Sequence, residues 1–133
     1  MKLSKLFIKG EEVQENRLQR VKRLVKEETG LDLLTVSNRA IDEYRENTNR
    51  NKNIDYETAV LKINRDYLVS QRITKDDDNE RTVGYGNSKI VFNKHKNKIT
   101  RFINRKTSDP QLIYKRRCDW ELKDKLDSIM GLN

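Results

Sequence analysis

The sequence has few of the residues that build disulfides, metal centres or membrane spans. It contains one cysteine, Cys118, and one histidine, His95, which excludes an internal disulfide and leaves no Cys/His set for zinc. No apolar run approaches the roughly 18 residues of a transmembrane helix. The apolar stretch at the N-terminus is too short for a signal peptide. We therefore expect a cytoplasmic protein with no cofactor, no metal and no membrane partner.

Apolar residues are scarce and charged residues abundant. Only 34% of the 133 residues are apolar, and 38% are charged. A chain of this length is expected to build one domain around a small core. We therefore predict a single domain over residues 1–133, in which residues 1–9 form a strand or a loose tail.

The positive charge is concentrated in one segment. Residues 81–117 contain eleven basic residues and one acid, Asp109, whereas the rest of the chain has 18 basic and 20 acidic residues. Such a one-sided field attracts phosphate backbones and accelerates association with nucleic acid. The distribution predicts a nucleic-acid partner, RNA or DNA.

Helical periodicity and capping residues predict four helices. They span residues 11–29, 37–47, 55–69 and 110–130. Ser37 and Asp55 are typical N-caps, and Gly30 and Gly131 are typical C-terminal stops. The stretch Arg45–Asn53 has no apolar residue and is predicted to be an exposed loop. Cys118 is expected to pack in the core on the last helix.

Short alternating segments between the third and fourth helices predict an antiparallel sheet of about four strands. The predicted strands are 71–74, 81–85, 88–92 and 98–103, with turns at 75–80, 86–87 and 93–97. Strict alternation would place Ile99, Arg101 and Ile103 on one face. The fold class is therefore α+β, with helices before the sheet and a C-terminal helix covering it.

Short sequence motifs between Val36 and Phe102 resemble those of a known superfamily. These motifs are Ser37, Ala40, Ile41, Tyr44 and Arg45, then Ala59 and Ile63, then Tyr85-Gly86-Asn87, Ile90-Val91-Phe92 and Ile99-Thr100. The pattern is similar to that of the RelE/ParE-like and colicin-D-like small ribonucleases of phages and bacteria. The resemblance implies a fold that cleaves RNA, or a relative that retains only binding.

The resemblance also indicates which residues to examine for metal-independent RNA cleavage. Arg39 stands where the pattern often has histidine, which makes a histidine-based mechanism doubtful. RelE-like enzymes commonly work with Arg, Lys and Tyr. We therefore expect Arg39, Arg81, Tyr85 and Arg101 to be catalytic: arginines hold phosphate, and tyrosine stacks on a base or relays a proton.

Further basic residues are expected to bind the nucleic-acid backbone. They are Arg45, Lys89, Lys94, His95, Lys96, Lys98, Arg105, Lys106, Lys115, Arg116 and Arg117. We expect Arg45 to meet the four catalytic candidates on an open face of the sheet. For each arginine, an ordinary surface charge or salt bridge is the competing interpretation.

Two other classes of protein fit parts of the sequence. Residues 18–46 have the outline of a helix-turn-helix, with a turn at 29–31 and a recognition helix over 34–44. Ser37, Asn38, Arg39 and Asp42 would then face base edges, although Lys26 and Arg39 occupy positions where small or apolar residues belong. The third class is a small basic inhibitor of a host protein. An antitoxin partner is also compatible with the RelE-like interpretation.

Overall fold

The computed structural model describes residues 6–8, 11–13, 15–47, 52–104 and 118–132. The chain divides into two compact units, Met1–Leu33 and Leu34–Asn133. Helices and a five-stranded sheet confirm the predicted α+β class. Whether the two units form one domain stays a prediction.

The first unit contains a short hairpin and one helix. Strands β1 (Leu6–Ile8) and β2 (Glu11–Val13) pair antiparallel, and helix α1 spans Arg17–Thr29. The helix begins at Asn16, whose side chain accepts a hydrogen bond from Gln19 N while Gln19 Oε1 accepts one from Asn16 N. The prediction of a helix from residue 11 is therefore wrong, because this capping box starts the helix later. Gly30, at φ 76°, ends it as predicted.

The second unit is built on a mixed sheet. Its strands are β3 (Thr35–Val36), β4 (Arg72–Asp76), β5 (Glu80–Tyr85), β6 (Ser88–Asn93) and β7 (Lys98–Asn104). Their order is β3-β7-β6-β5-β4; β3 runs parallel to β7, and the other pairs are antiparallel. The four predicted strands are confirmed, with limits that differ by one or two residues. The fifth strand, β3, is not among the predicted strands.

A β-bulge in β7 changes which residues face the core. Val91 pairs with Arg101, but its neighbour Phe92 pairs with Ile99, so Thr100 is an extra residue in β7. As a result Ile99 and Phe102 are both buried, while Arg101 and Ile103 are only partly buried. The prediction that Ile99, Arg101 and Ile103 share one face is wrong for this reason.

Helices α2 (Asn38–Asn47) and α3 (Tyr56–Val69) form as their caps predict. Ser37 Oγ accepts from Ala40 N at 3.1 Å, and Asp55 Oδ2 accepts from Thr58 N at 3.4 Å. The predicted loop from Arg45 begins too early, because α2 continues to Asn47. Ala40, Ile41 and Tyr44 of α2 are buried, and the Tyr44 ring meets Phe102 of β7 edge to face.

The last helix, α4 (Trp120–Met130), is shorter than predicted and packs against α3. Its N-cap is Asp119, whose side chain accepts from Leu122 N at 3.0 Å. Cys118 is buried as predicted but lies in a β-bridge with Ser70, so the helix does not extend through it. The predicted start at residues 109–110 lies outside the described residues. Gly131 ends the helix, as predicted, at φ 71°.

The connection between α1 and α2 does not match a helix-turn-helix. Thr35–Val36 is a strand that pairs with β7, so the predicted recognition helix over 34–44 is wrong at its start. Ser37 caps α2 and donates to Thr100 O at 3.1 Å. The segment from Gly30 to Ser37 is also longer than the three- or four-residue turn of that motif.

Candidate nucleic-acid interface

The register of the sheet separates its residues into two faces. Val83, Ile90 and Phe102 lie in one row across β5, β6 and β7, and all three are buried. Tyr44 of α2 and Tyr67 of α3 contact Phe102 and Phe92 on this side. This is the core face, and residues adjacent to it along each strand belong to the opposite face.

The opposite face is rich in basic residues. By register, this face contains Thr82, Gly84, Lys89, Val91 and Ile103. The same pairing adds four basic residues from β4 and β7. We call the basic residues of this side the basic face: Arg72, Lys75, Lys89, Lys98 and Arg101. Glu80 is the acid that the register places on the same side.

Two of these five side chains are neutralised by acids. Lys75 Nζ lies 2.8 Å from Glu80 Oε1, and Arg101 Nη2 lies 2.8 Å from Glu43 Oε2. Arg72, Lys89 and Lys98 form no ion pair with a residue in the described part of the chain. Three cations of the basic face are therefore not compensated by an acid among the described residues.

Arg72 is held flat across the sheet. It pairs with Gly84, and a Cβ added at Gly84 would overlap its guanidinium group. Arg72 Nη2 donates to Gly86 O at 3.2 Å, in the two-residue turn between β5 and β6. Glycine at position 84 thus creates the space in which this guanidinium lies.

A second basic cluster lies where α2 meets the edge of β7. Glu43 accepts hydrogen bonds from Arg101 Nε and Nη2 and from Phe102 N, at 2.8 to 3.0 Å. Arg39 Nε lies 4.0 Å from the same carboxylate. Burial opposes ionisation of Glu43, but the hydrogen bonds from Arg101 and Phe102 prevail and lower its pKa below the ordinary value. The structure therefore brings Arg39 and Arg101 together around a carboxylate that the sequence analysis missed.

Arg81 lies in a different cluster from Arg101. Its row contains Asp76 and Phe92, which places it on the core-face side at one end of the sheet. Asp76 lies 3.0 Å from Arg81 Nη2 and 2.7 Å from Lys94 Nζ, and hydrogen bonds from Lys94 and Arg81 lower the pKa of Asp76. Arg81 also shares a hydrogen bond with Tyr67. The structure does not bring Arg81 and Arg101 together.

The remaining predicted site residues are spread over the second unit. Tyr85 is buried on the core-face side. Arg45 Nε donates to Ile54 O at 3.2 Å. His95 lies in the exposed turn between β6 and β7, beside exposed Lys96, and its ring is 2.8 Å from Asn79 Oδ1. Their assignment to catalysis or binding stays a prediction. Five predicted binding residues lie outside the described residues: Arg105, Lys106, Lys115, Arg116 and Arg117.

Arg72 belongs to the basic face but was not among the predicted site residues. It lies outside the 81–117 segment on which the charge count focused, and only the pairing of β4 with β5 brings it to this side. Among the described residues, no group of three or more His, Cys, Asp or Glu side chains is placed to hold a metal ion. The helices in that part of the chain are each too short or too polar to cross a membrane.

The fold and its basic face define a small α+β protein with a positively charged sheet surface. A family model named YorE matches residues 34–124, well over half of the chain. The chain belongs to the YorE family, which is of phage type. Comparisons with curated proteins and with solved structures found no match.

Proposed function

We propose that this protein binds nucleic acid by contacting the phosphate backbone with its basic face. The observation that carries the proposal is the position of Arg72, Lys89 and Lys98 on one side of the sheet, without an ion pair to a described residue. Uncompensated cations on one surface release counterions when they meet phosphates, which gives favourable and salt-dependent binding. Lys96, in the adjoining turn, extends the same charge.

The first experiment measures binding of labelled single-stranded RNA and duplex DNA over a range of salt concentrations. We expect the logarithm of the association constant to fall linearly with the logarithm of salt concentration. The double variant Lys89→Gln/Lys98→Gln should bind more weakly, and its slope should be shallower by about two, one for each phosphate contact removed.

The matched control is Lys22→Gln/Lys125→Gln. It removes the same charge from two exposed helical residues, one on α1 and one on α4, neither of which belongs to a strand of the sheet. Equal weakening by the two double variants would contradict a defined basic face and leave only the effect of net charge. Absence of binding to either nucleic acid would overturn the proposal and favour the inhibitor class, in which the basic surface meets a protein.

Metal-independent RNA cleavage is the second candidate function, and the cluster of Arg39, Glu43 and Arg101 favours it. Cleavage requires a base that removes the 2′-hydroxyl proton and cations that stabilise the charge developing on phosphorus. Glu43 would accept that proton as the 2′-oxygen attacks phosphorus, and Arg39 and Arg101 would hold the phosphate oxygens. The 5′-oxygen would leave with a proton from solvent. Support comes from the geometry of this cluster and from the RelE-like resemblance.

Cleavage is tested by incubating the protein with labelled RNA in EDTA and looking for fragments that end in a 2′,3′-cyclic phosphate. We expect Glu43→Gln and Arg39→Ala/Arg101→Ala to lower the rate by about 100-fold or more, the usual contribution of a general base or a charge-stabilising group. Glu121→Gln, at an exposed site on α4, is the control. Intact RNA with the parent protein, or undiminished cleavage by Glu43→Gln, would contradict this mechanism.

A further inference from the structure

One row of the sheet places a basic residue on each side of a glycine. Arg72 of β4 pairs with Gly84 of β5, and Gly84 pairs with Lys89 of β6. The Arg72 guanidinium lies over Gly84, so it extends towards the strand that contains Lys89. Directly opposite residues of neighbouring strands have Cβ atoms about 5 Å apart, so Arg72 and Lys89 are separated by about 10 Å at Cβ. Both side chains are long enough to contact one ligand placed over the glycine between them.

The hydrogen-bonding capacity of this pair is largely unused within the described residues. Of the five N–H donors of Arg72, one is accepted by Gly86 O, and Nε is buried without a partner. The Lys89 ammonium has neither an ion pair nor a hydrogen bond to a described side chain. The residue that follows Lys89 in the row, on β7, is the apolar Ile103. Two neighbouring cations that form no ion pair with a described acid are suited to an anion with several oxygens.

We propose that Arg72 and Lys89 form a phosphate-binding subsite, and that Gly84 creates it by giving the guanidinium a place to lie. The inference deepens the proposed nucleic-acid binding and rests on it when the phosphate is that of a backbone. A free phosphate compound carries the same chemistry, so the test separates the two sources. The planar guanidinium donates to two phosphate oxygens at once, and Lys89 supplies a further donor as a point charge.

The sharpest variant is Gly84→Ala, because it changes no charge but fills the space under Arg72. We expect Gly84→Ala and Arg72→Lys each to weaken binding of a labelled single-stranded RNA by about tenfold, since both retain the net charge and lose the bidentate geometry. Lys98→Gln, at the other end of the basic face, removes one charge and is expected to weaken binding by only about two- to threefold. Circular dichroism checks that each variant folds. If Gly84→Ala does not fold, the binding measured for Arg72→Lys tests the subsite.

Inorganic phosphate provides the second measurement. The Arg72 Nε–H resonance should shift when phosphate is added to the full chain and remain unchanged with sodium chloride of equal ionic strength. It should also remain unchanged by phosphate in Lys89→Gln. A shift with phosphate but no binding of RNA or DNA would support a site for a free phosphate compound and overturn nucleic-acid binding. RNA binding that neither Gly84→Ala nor Arg72→Lys weakens, with no phosphate shift, would overturn the subsite and leave the proposed function intact.

Discussion

Glu43 shows how one side chain closes the edge of a sheet. Among the described residues, strand β3 covers β7 only at Lys98 and Ile99, so the N–H of Phe102 has no partner from a described strand. Glu43 accepts this N–H at 3.0 Å and also binds Arg101, which fixes α2 against β7. An unpaired N–H at this partly buried position would cost free energy, so the carboxylate substitutes for the missing strand.

This role predicts a pH-dependent contribution of Glu43 to stability. Because the folded-state pKa of Glu43 lies below its ordinary value of 4.5, its contribution is fully present above that pH and is lost as the pH falls through the folded-state pKa. We expect Glu43→Gln to lower the free energy of unfolding by about 1–2 kcal/mol at neutral pH. Below the folded-state pKa the difference from the parent should shrink.

Urea unfolding at a series of pH values measures this difference. Glu121→Gln serves as the control, since Glu121 is exposed on α4 and forms no ion pair with a described residue. It should unfold like the parent at every pH. A Glu43→Gln deficit that stays constant between neutral and strongly acidic pH would show that lost packing, and not lost charge, is responsible.

At the residue scale, the sequence was informative about charge and less so about pairing. The excess of basic residues from position 81 onwards drew attention to Lys89 and Lys98, which have no acidic partner among the described residues. Their role in binding stays a prediction. The excess could not show that Asp76 neutralises Arg81 or that Glu43 neutralises Arg101. These acids lie outside the basic segment, and only the register of the sheet and the packing of α2 bring them close.

At the scale of elements, local signals predicted what local interactions determine. The caps at Ser37 and Asp55 and the stops at Gly30 and Gly131 act within one turn of helix, and all four form. The two-residue turn at Gly86–Asn87 also follows local chemistry, since Gly86 has φ 60° at the first turn position.

Features that depend on distant contacts were not predictable in the same way. The bulge at Thr100 cannot be recognised from the residue types in β7. One extra residue moves each later side chain of the strand to the opposite face of the sheet. Likewise Thr35–Val36 is too short to be recognised as a strand, and its parallel pairing with β7 is a long-range contact. The predicted faces of β7 failed for this reason, although the strand itself was correct.

At the scale of the whole molecule, the second unit contains most of the described core. The family match begins at residue 34, where this unit also begins. Its sheet joins strands from position 35 to position 104, and α4 returns to α3 through the Arg65–Asp127 ion pair at 3.0 Å. Ser70 and Cys118 add a β-bridge between the same two parts of the chain. The unit is therefore closed by contacts between segments that lie far apart in its own sequence.

This closure predicts that residues 34–133 fold without the first unit. We expect this 100-residue fragment to unfold in one cooperative thermal transition. The enthalpy at the midpoint should be about 70 kcal/mol, from about 0.7 kcal/mol per residue in globular domains. Calorimetry measures the enthalpy, and agreement with the van't Hoff value tests cooperativity. The full chain, measured beside it, shows what the first unit adds. A fragment that melts gradually, with no calorimetric peak, would show that the domain needs the first unit and extends over the whole chain.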